Sequence, residues 1–348
     1  MRLLQVGVGG FGAHWLDSLE AMGDEVAHAG LVDQDPAALA AAAARVGLGP
    51  ERCFTDLGTA LVATDAEFAL VVVPPAAHRE VAERCLEAGL PVLVEKPLAG
   101  TRADCEALVE AAARTGRELA VSQQYRYRPV VETARRVLAS GRLGAIGQAR
   151  VEFWHHHDFR GTFREGMEHP LLLDMAIHHF DLIRHVCGLE PVSVSAHTWN
   201  PPWSQFDGDA SAACVFAMEN GARVLYAGSW HPRVQDTDWN CAWLVECERG
   251  YLRLAGDSVR VQETAGVHEP GDPAGEEEIP LVALERPDQA TVLVTFAEAV
   301  RAGRPAPTTA ADNLRSVEMV LNAVEAAQMS RTVEFEAAAQ PPPLGSTR

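Results

Sequence analysis

Apolar and polar positions follow two rhythms along the chain. In the first third, short apolar runs alternate with stretches of helical period. "LLQVGV", "EVAHAGLVD", "FALVVVP", "PVLVEKP" and "ELAVSQQYRY" read as strands. Between them lie a helix from about Ala13 to Met22, "PAALAAAAARV" opened by Pro36, "HREVAERCLEAG", and "TRADCEALVEAAARTG". Thr101 is the natural cap of the last, and proline suits a first helical position. Apolar strands joined by helices imply a parallel sheet covered on both faces. This pattern closes near residue 122.

After a helix around "VVETARRVLAS" the texture changes. "QARVEFWHHHDF", "VSVSAHTW", "DASAACVFAME", "ARVLYAGSW", "CAWLVECERGYLRLAG" and "SVRVQET" follow with little helix between most of them. That predicts a mainly antiparallel sheet. "AGVHEPGDPAGEEEIP" reads as an exposed loop. Two late helices, "QATVLVTFAEAVRAG" and "AADNLRSVEMVLNAVEAAQMS", precede a frayed tail. The expected fold class is α/β: a doubly wound parallel sheet over residues 1–122, a second α/β domain over 123–335, and a flexible tail over 336–348.

Composition narrows the partners. Lys and Arg number 29 against 48 Asp and Glu, a formal charge of −19. A nucleic acid or an anionic membrane surface would be repelled. The seven cysteines contain no C-x-x-C pair, so a reducing cytoplasm is the expected home. The chain turns glycine-rich before a signal-peptide core could form. No apolar run reaches the ~20 residues that cross a bilayer.

"VGVGGFG" carries Gly7-x-Gly9-x-x-Gly12, including Gly10 and Phe11, after a short strand and before a helix. Gly7 permits the tight turn, Gly9 the approach of a pyrophosphate, and Gly12 close helix–sheet packing. The second strand ends at Asp33, about 20 residues on, where a carboxylate grips a ribose 2′-hydroxyl and repels a 2′-phosphate. NAD is therefore expected rather than NADP. "PVLVEKPLAG" ends a strand with Glu95, Lys96 and Pro97, which aims the lysine at the crevice beyond the strand ends.

One segment, "HPLLLDMAIHHFDLIRH", is apolar nearly all round yet carries Asp174, His178, Asp181 and His185 at spacings of four, three and four. On a regular helix these four form one narrow stripe, facing either a wet cavity or a satisfied structural network.

"GVGGFG", "VVVPPAAH", "VEKPLAG" and "LLLDMAIHHFD" occur in the order found in the Gfo/Idh/MocA oxidoreductases, and the chain resembles that family over nearly its whole length. The resemblance implies a Rossmann domain followed by a second α/β domain with a large, open, mostly antiparallel sheet, which in the family often builds an oligomer interface. A homo-oligomer, dimer or tetramer, is expected through that sheet. It also implies NAD(P)-linked oxidation or reduction of a sugar, sugar derivative or cyclitol. Lys96, Asp174 and His178 match the family's catalytic lysine, aspartate and histidine. "PPAAH" stands where T-P-N-x-x-H is commoner, so Pro74 and Pro75 alter the wall beside the nicotinamide while His78 is kept.

With Lys96 as partner, the stripe reads as chemistry. His178 is a candidate general base, since imidazole titrates near neutrality. Asp174 can orient it or bind a substrate hydroxyl, and Lys96 can hydrogen-bond the reacting oxygen. Asp181 and His185 are expected to support the helix, for instance in ion pairs with Arg184, and His179 to pack on its far side. The cofactor set is Gly7, Gly9, Gly10, Phe11, Gly12, Asp33, Pro74, His78, Glu95 and Lys96. In "WHHHDFRG", His155 and His157 share one face if the strand continues and are candidates for substrate hydroxyls or plain strand-end histidines; Tyr125, Arg126 and Arg128 could contact sugar hydroxyls or an acid group, or serve core or surface roles instead. The same histidines could hold a divalent metal, but no H-E-x-x-H motif is present and no metal is expected. Two other functions remain open: a glycosidase or lyase that oxidises its sugar transiently, and a non-catalytic dinucleotide-binding regulator.

Overall fold

The structure is a computed structural model that describes residues 1–20, 22, 25–264, 271–286 and 288–336. The chain is divided between two compact units, neither continuous in sequence. The first takes the described residues of Met1–Arg136, Ile177–Val186 and Pro280–Glu318. The second takes Val137–Ala176, Cys187–Ile279 and the described residues from Met319 onward.

The first unit is built on a parallel sheet. Its elements run β1 (Arg2–Val6), α1 (Phe11–Glu20), β2 (Ala27–Val32), α2 (Pro36–Val46), β3 (Cys53–Phe54), α3 (Leu57–Ala63), β4 (Phe68–Val71), α4 (His78–Glu87), β5 (Val92–Glu95), α5 (Arg102–Thr115) and β6 (Leu119–Ser122). The strand order is β3-β2-β1-β4-β5-β6, so the winding reverses between β1 and β4. Every residue of β4, β5 and β6 is buried, which is why these strands read as unbroken apolar runs.

Local chemistry sets the helix ends. Asp35 caps α2, its Oδ1 accepting from Ala37 N at 2.9 Å, with Pro36 in the first turn and Gly47 closing the helix at φ 69°. Thr101 Oγ1 accepts from Asp104 N at 3.1 Å and starts α5. The sequence pattern did not register β3 and α3. A two-residue strand is too short to show a period, and α3 buries only Leu57 and Ala60.

Residues 123–136, 177–186 and 280–318, which the sequence division places after the parallel sheet, pack in the first unit. The reason is apolar cover. A long helix late in the chain brings Ala290, Val292, Leu293, Phe296 and Ala299 into one buried cluster with Leu3, Trp15, Phe68 and Leu93.

The second unit contains, after α6 (Pro129–Ala139), the strands β7 (Ile146–Trp154), β8 (Pro191–Trp199), β9 (Ser211–Met218), β10 (Arg223–Ser229), β11 (Ala242–Cys247), β12 (Gly250–Ala255), β13 (Ser258–Glu263), β14 (Glu277–Ile279) and β15 (Val333–Glu334). The helix α7 (Ala176–Cys187) falls between β7 and β8 in sequence; α8 (Asp288–Ala302) and α9 (Ala310–Met329) precede β15. The sheet order is β14-β13-β12-β11-β7-β10-β9-β8-β15. Pairing is antiparallel except between β7 and β10. Burial alternates along β10 and β9, and the outward-facing pair Val215 and Leu225 are 45% and 42% exposed.

Two local expectations change, and a third falls outside the described residues. The predicted loop at 265–280 contains a 3-10 turn at Pro273–Gly275 and the strand β14, which pairs with β13; its first six residues lie outside the described residues. The predicted tail, apart from Glu336, also lies outside them. The segment Leu171–Met175 is π-helical. Its wider turn takes Asp174 off the α-helical line that runs through His178, Asp181 and His185.

Candidate active site

The turn after β1 is closed toward the sheet and open outward. Gly7 has φ 90°, and a Cβ there would lie 2.4 Å from Val72 O; a Cβ on Gly12 would lie 2.3 Å from Gly7 O. Gly9 has no neighbour nearer than 3.7 Å to such a Cβ, and Gly10 none within 4 Å. Phe11, half exposed, starts α1 at the rim. From below, Gln5 Nε2 donates to Gly12 O at 2.9 Å and Gly7 O at 3.2 Å.

Asp33 follows β2 and holds the turn. Its Oδ2 accepts from Val8 N at 2.8 Å and Gly9 N at 3.1 Å, and its Oδ1 from Asp35 N at 2.9 Å. These residues fit a dinucleotide: an exposed glycine backbone, the positive end of a helix dipole, and a carboxylate at the neighbouring strand end.

Lys96 follows β5 and is partly buried, and the Lys96–Pro97 peptide is cis. Glu95, expected beside the cofactor, is 4% exposed. Its Oε1 accepts from Trp15 Nε1 and its Oε2 from Lys96 N, both at 2.9 Å. Burial pushes its carboxyl above the usual range, against the opposing charge of Lys96. His78 is also buried: its Nδ1 lies 2.9 Å from Pro97 O and its Nε2 2.8 Å from Val73 O. Burial lowers its pKa, and a neutral imidazole has one N–H, so one of these contacts is a hydrogen bond at a time. Glu95 and His78 thus brace the ends of β4 and β5, while Pro74 is exposed.

His178 is 3% exposed on α7, and among the described residues its buried Nδ1 has no hydrogen-bond partner. Its pKa is held well below 6.5, first by burial, then by the charges of Lys96, His179 and Arg128. The ring is therefore neutral at physiological pH, and Lys96 lies close enough for its charge to act on it.

Tyr125 and Arg126, expected at the substrate, are built into this unit. Tyr125, in a 3-10 turn at Gln124–Tyr127, stacks on His178 with ring centroids 4.3 Å apart and planes 13° from parallel. The Arg128 guanidinium lies 3.5 Å from the Tyr125 ring centroid. Arg126 donates from Nε and Nη2 to Asp181 at 2.7 and 2.6 Å, and from Nη2 to Asp312 at 2.8 Å. Burial opposes its charge, but the two carboxylates outweigh it and raise its pKa. Arg184, expected as the partner of Asp181, pairs with Asp312 at 2.9 Å and donates to Ser316 Oγ at 2.8 Å. Asp181 also accepts from Ser316 at 2.9 Å. His179 is fully buried.

The remaining predicted residues belong to the second unit. Asp174 is paired with Arg164, whose Nε donates to Oδ2 at 2.6 Å. Nothing in the sequence marked Arg164, which sits ten residues upstream in a loop outside any periodic pattern. β7 ends at Trp154, so the shared-face argument for His155 and His157 does not apply. His155 is buried; its Nδ1 accepts from Gln235 Nε2 at 3.1 Å, and its ring lies 4.3 Å from Trp239. His157 is exposed, with its ring 4.4 Å from Phe159. Among the described residues, no group of three or more His, Cys, Asp or Glu is placed to hold a metal ion. Among them, too, no helix is long and apolar enough to cross a membrane.

Residues 1–123 match the family model described as an oxidoreductase family with an NAD-binding Rossmann fold, and residues 131–253 the model of the GFO/IDH/MocA C-terminal domain. The myo-inositol dehydrogenase Hyg17 of Streptomyces leeuwenhoekii is 32% identical over 247 residues, covering 67% of this chain and 71% of its own. A D-apiose dehydrogenase of Paraburkholderia graminis is 27% identical over 335 residues, covering 91% of this chain and 85% of its own. An oxidoreductase from Agrobacterium radiobacter, crystallised with NAD+, L-tartaric acid and magnesium, superposes with a TM-score of 0.84. It covers 96% of this chain and 98% of its own at 20% identity, a likeness of fold.

Proposed function

The chain belongs to the Gfo/Idh/MocA family of NAD-binding oxidoreductases, and from that premise we propose that it is a dehydrogenase for a hydroxyl carbon of a sugar, sugar derivative or cyclitol. The observation that carries this reading is a buried, neutral imidazole, His178, within the electrostatic reach of Lys96. Oxidising an alcohol requires a base for the hydroxyl proton. His178 takes that proton and returns it in the reverse direction. Lys96 donates a hydrogen bond to the reacting oxygen and stabilises the charge that builds there. Bound NAD supplies the hydride acceptor. The turn Gly7–Gly12 and Asp33 hold the coenzyme, with Phe11 and Pro74 at the rim. Within the second unit, Asp174 is oriented by Arg164, whose Nε donates to its Oδ2 at 2.6 Å.

The substrate class rests on relatives named for myo-inositol and D-apiose. The uncovered Val215–Leu225 face of the second sheet supports self-association.

Turnover of a panel of sugars, sugar acids and cyclitols with NAD+ or NADP+, followed at the reduced-nicotinamide absorbance band, tests the proposal. Lys96→Ala is expected to abolish turnover while NADH binding, held mainly by the glycine turn and Asp33, is weakened but still measurable. Activity that survives the substitution removes Lys96 from the chemistry. Tight NADH binding with no turnover on any polyol would favour a regulator instead.

A further inference from the structure

A general-base histidine is usually oriented by a hydrogen bond at its far ring nitrogen. Among the described residues His178 Nδ1 has no such partner, yet nearly the whole side chain is buried. Something else must fix the ring plane.

The turn after β6 supplies it. Tyr125 and Arg126 are consecutive there, and they meet His178 and Asp181, three residues apart on α7 and so on one helix face. Arg126 staples the backbone through two charge-assisted bonds to Asp181. Tyr125 then lies flat on the imidazole. Arg128 approaches the same tyrosine ring at 3.5 Å, while the imidazole lies at 4.3 Å. Two groups so near one centroid fit only on opposite faces, so the order is guanidinium, phenol ring, imidazole. Asp288 Oδ2 anchors the outer end, accepting from Arg128 Nε and Nη2 at 3.3 Å each.

We propose that Tyr125 and Arg128 are positioning residues that hold the His178 ring in place through a guanidinium–phenol–imidazole stack. The electronic argument follows from the stack. A tyrosine face with nothing on its far side would attract an imidazolium. With Arg128 already there, a second cation is opposed. The charged or titratable groups that act on the ring are Lys96 after β5, His179 on α7, and Arg128, which is backed by Asp288 at the start of α8. Burial is the first cause of the neutral ring, and the Arg128 charge adds to it.

The role of His178 as base rests on the function proposed above, so the main test needs no substrate. Full-length protein labelled with 13C-histidine is titrated by NMR, the His178 resonance being assigned from its loss in His178→Gln. Arg128→Gln is expected to raise the His178 midpoint by at least about half a pH unit, Asp288 having offset part of the lost charge. Tyr125→Leu should move the ring-proton signal downfield as the ring current disappears, while Tyr125→Phe keeps the wild-type position. If Tyr125→Leu does not fold, Arg128→Gln and Tyr125→Phe carry the test. An unchanged midpoint in Arg128→Gln, or a Tyr125→Phe signal displaced from wild type, overturns the proposal. Once a substrate is found, Tyr125→Leu should lower kcat with little change in KM for the coenzyme. A loss confined to KM would also overturn the positioning role. A failed search for substrate leaves the NMR result standing.

Discussion

Asp181→Asn is the most informative single change to the frame around His178. Asp181 is 1% exposed and accepts from Arg126 Nε, Arg126 Nη2 and Ser316 Oγ at 2.7, 2.6 and 2.9 Å. Asparagine keeps the volume and loses the charge. Two charge-assisted bonds, each about 1.5–3 kcal/mol, become neutral ones, and Arg126 is left 7% exposed with Asp312 as its carboxylate, which Arg184 shares. Breaking one side of a buried pair costs about 3–5 kcal/mol, which for a chain of this size is a fall in Tm of roughly 4–7 °C. Differential scanning fluorimetry and urea unfolding, read by tryptophan fluorescence, measure it. The double variant Arg126→Met/Asp181→Leu strands neither charge, because Asp312 keeps Arg184. It should cost less than Asp181→Asn alone. A single-variant loss below about 1 kcal/mol, or a double variant as costly as the two singles summed, refutes the account.

The glycine turn and the buried histidines give two further tests. Gly12→Ala puts a methyl 2.3 Å from Gly7 O, which is backbone, and should lower Tm and weaken NADH binding together. Gly9→Ala meets nothing nearer than 3.7 Å and should fold normally yet bind NADH at least about tenfold more weakly, as read by fluorescence titration. Burial, then the charge of Arg126, lowers the pKa of His185 from 6.5 to about 4. Between those values the unfolded chain binds the proton and the folded one does not. Stability is therefore complete above pH 6.5 and falls as pH drops toward 4. His185→Gln should flatten that slope in urea melts at stepped pH; His28, also lowered to about 4 by burial, leaves a residual slope. An unaltered slope rules out His185 as a contributor.

Local signals in the sequence carried the parallel sheet well. Pro36 and Thr101 mark helix starts because capping is settled within four residues, and the helix opened by Pro36 has its predicted bounds. The glycine turn is legible for the same reason. Partnerships were not legible, because they depend on residues far apart in sequence. For Arg126 the sequence left substrate, core and surface roles open, since nothing nearby announced Asp181 or Asp312 as its counter-charges. Tyr125 was singled out without its true neighbour, His178. The histidine run was read on strand period, but β7 stops one residue short of it. The four-charge stripe assumed a uniform helix, and a π turn intervenes at Leu171–Met175.

The discontinuity of the first unit bears on how the protein is made. Its apolar cluster joins Leu3, Trp15 and Phe68 to Leu293 and Phe296. During translation the six strands of the parallel sheet leave the ribosome long before α8 does. At ~5–20 residues per second, the interval between β6 and the end of α8 is roughly 10–40 seconds. For that time the nascent sheet exposes a greasy flank with no native cover. Chaperones that shield hydrophobic surface co-translationally have their window there, and a fragment ending at residue 122 would carry the same bare flank permanently.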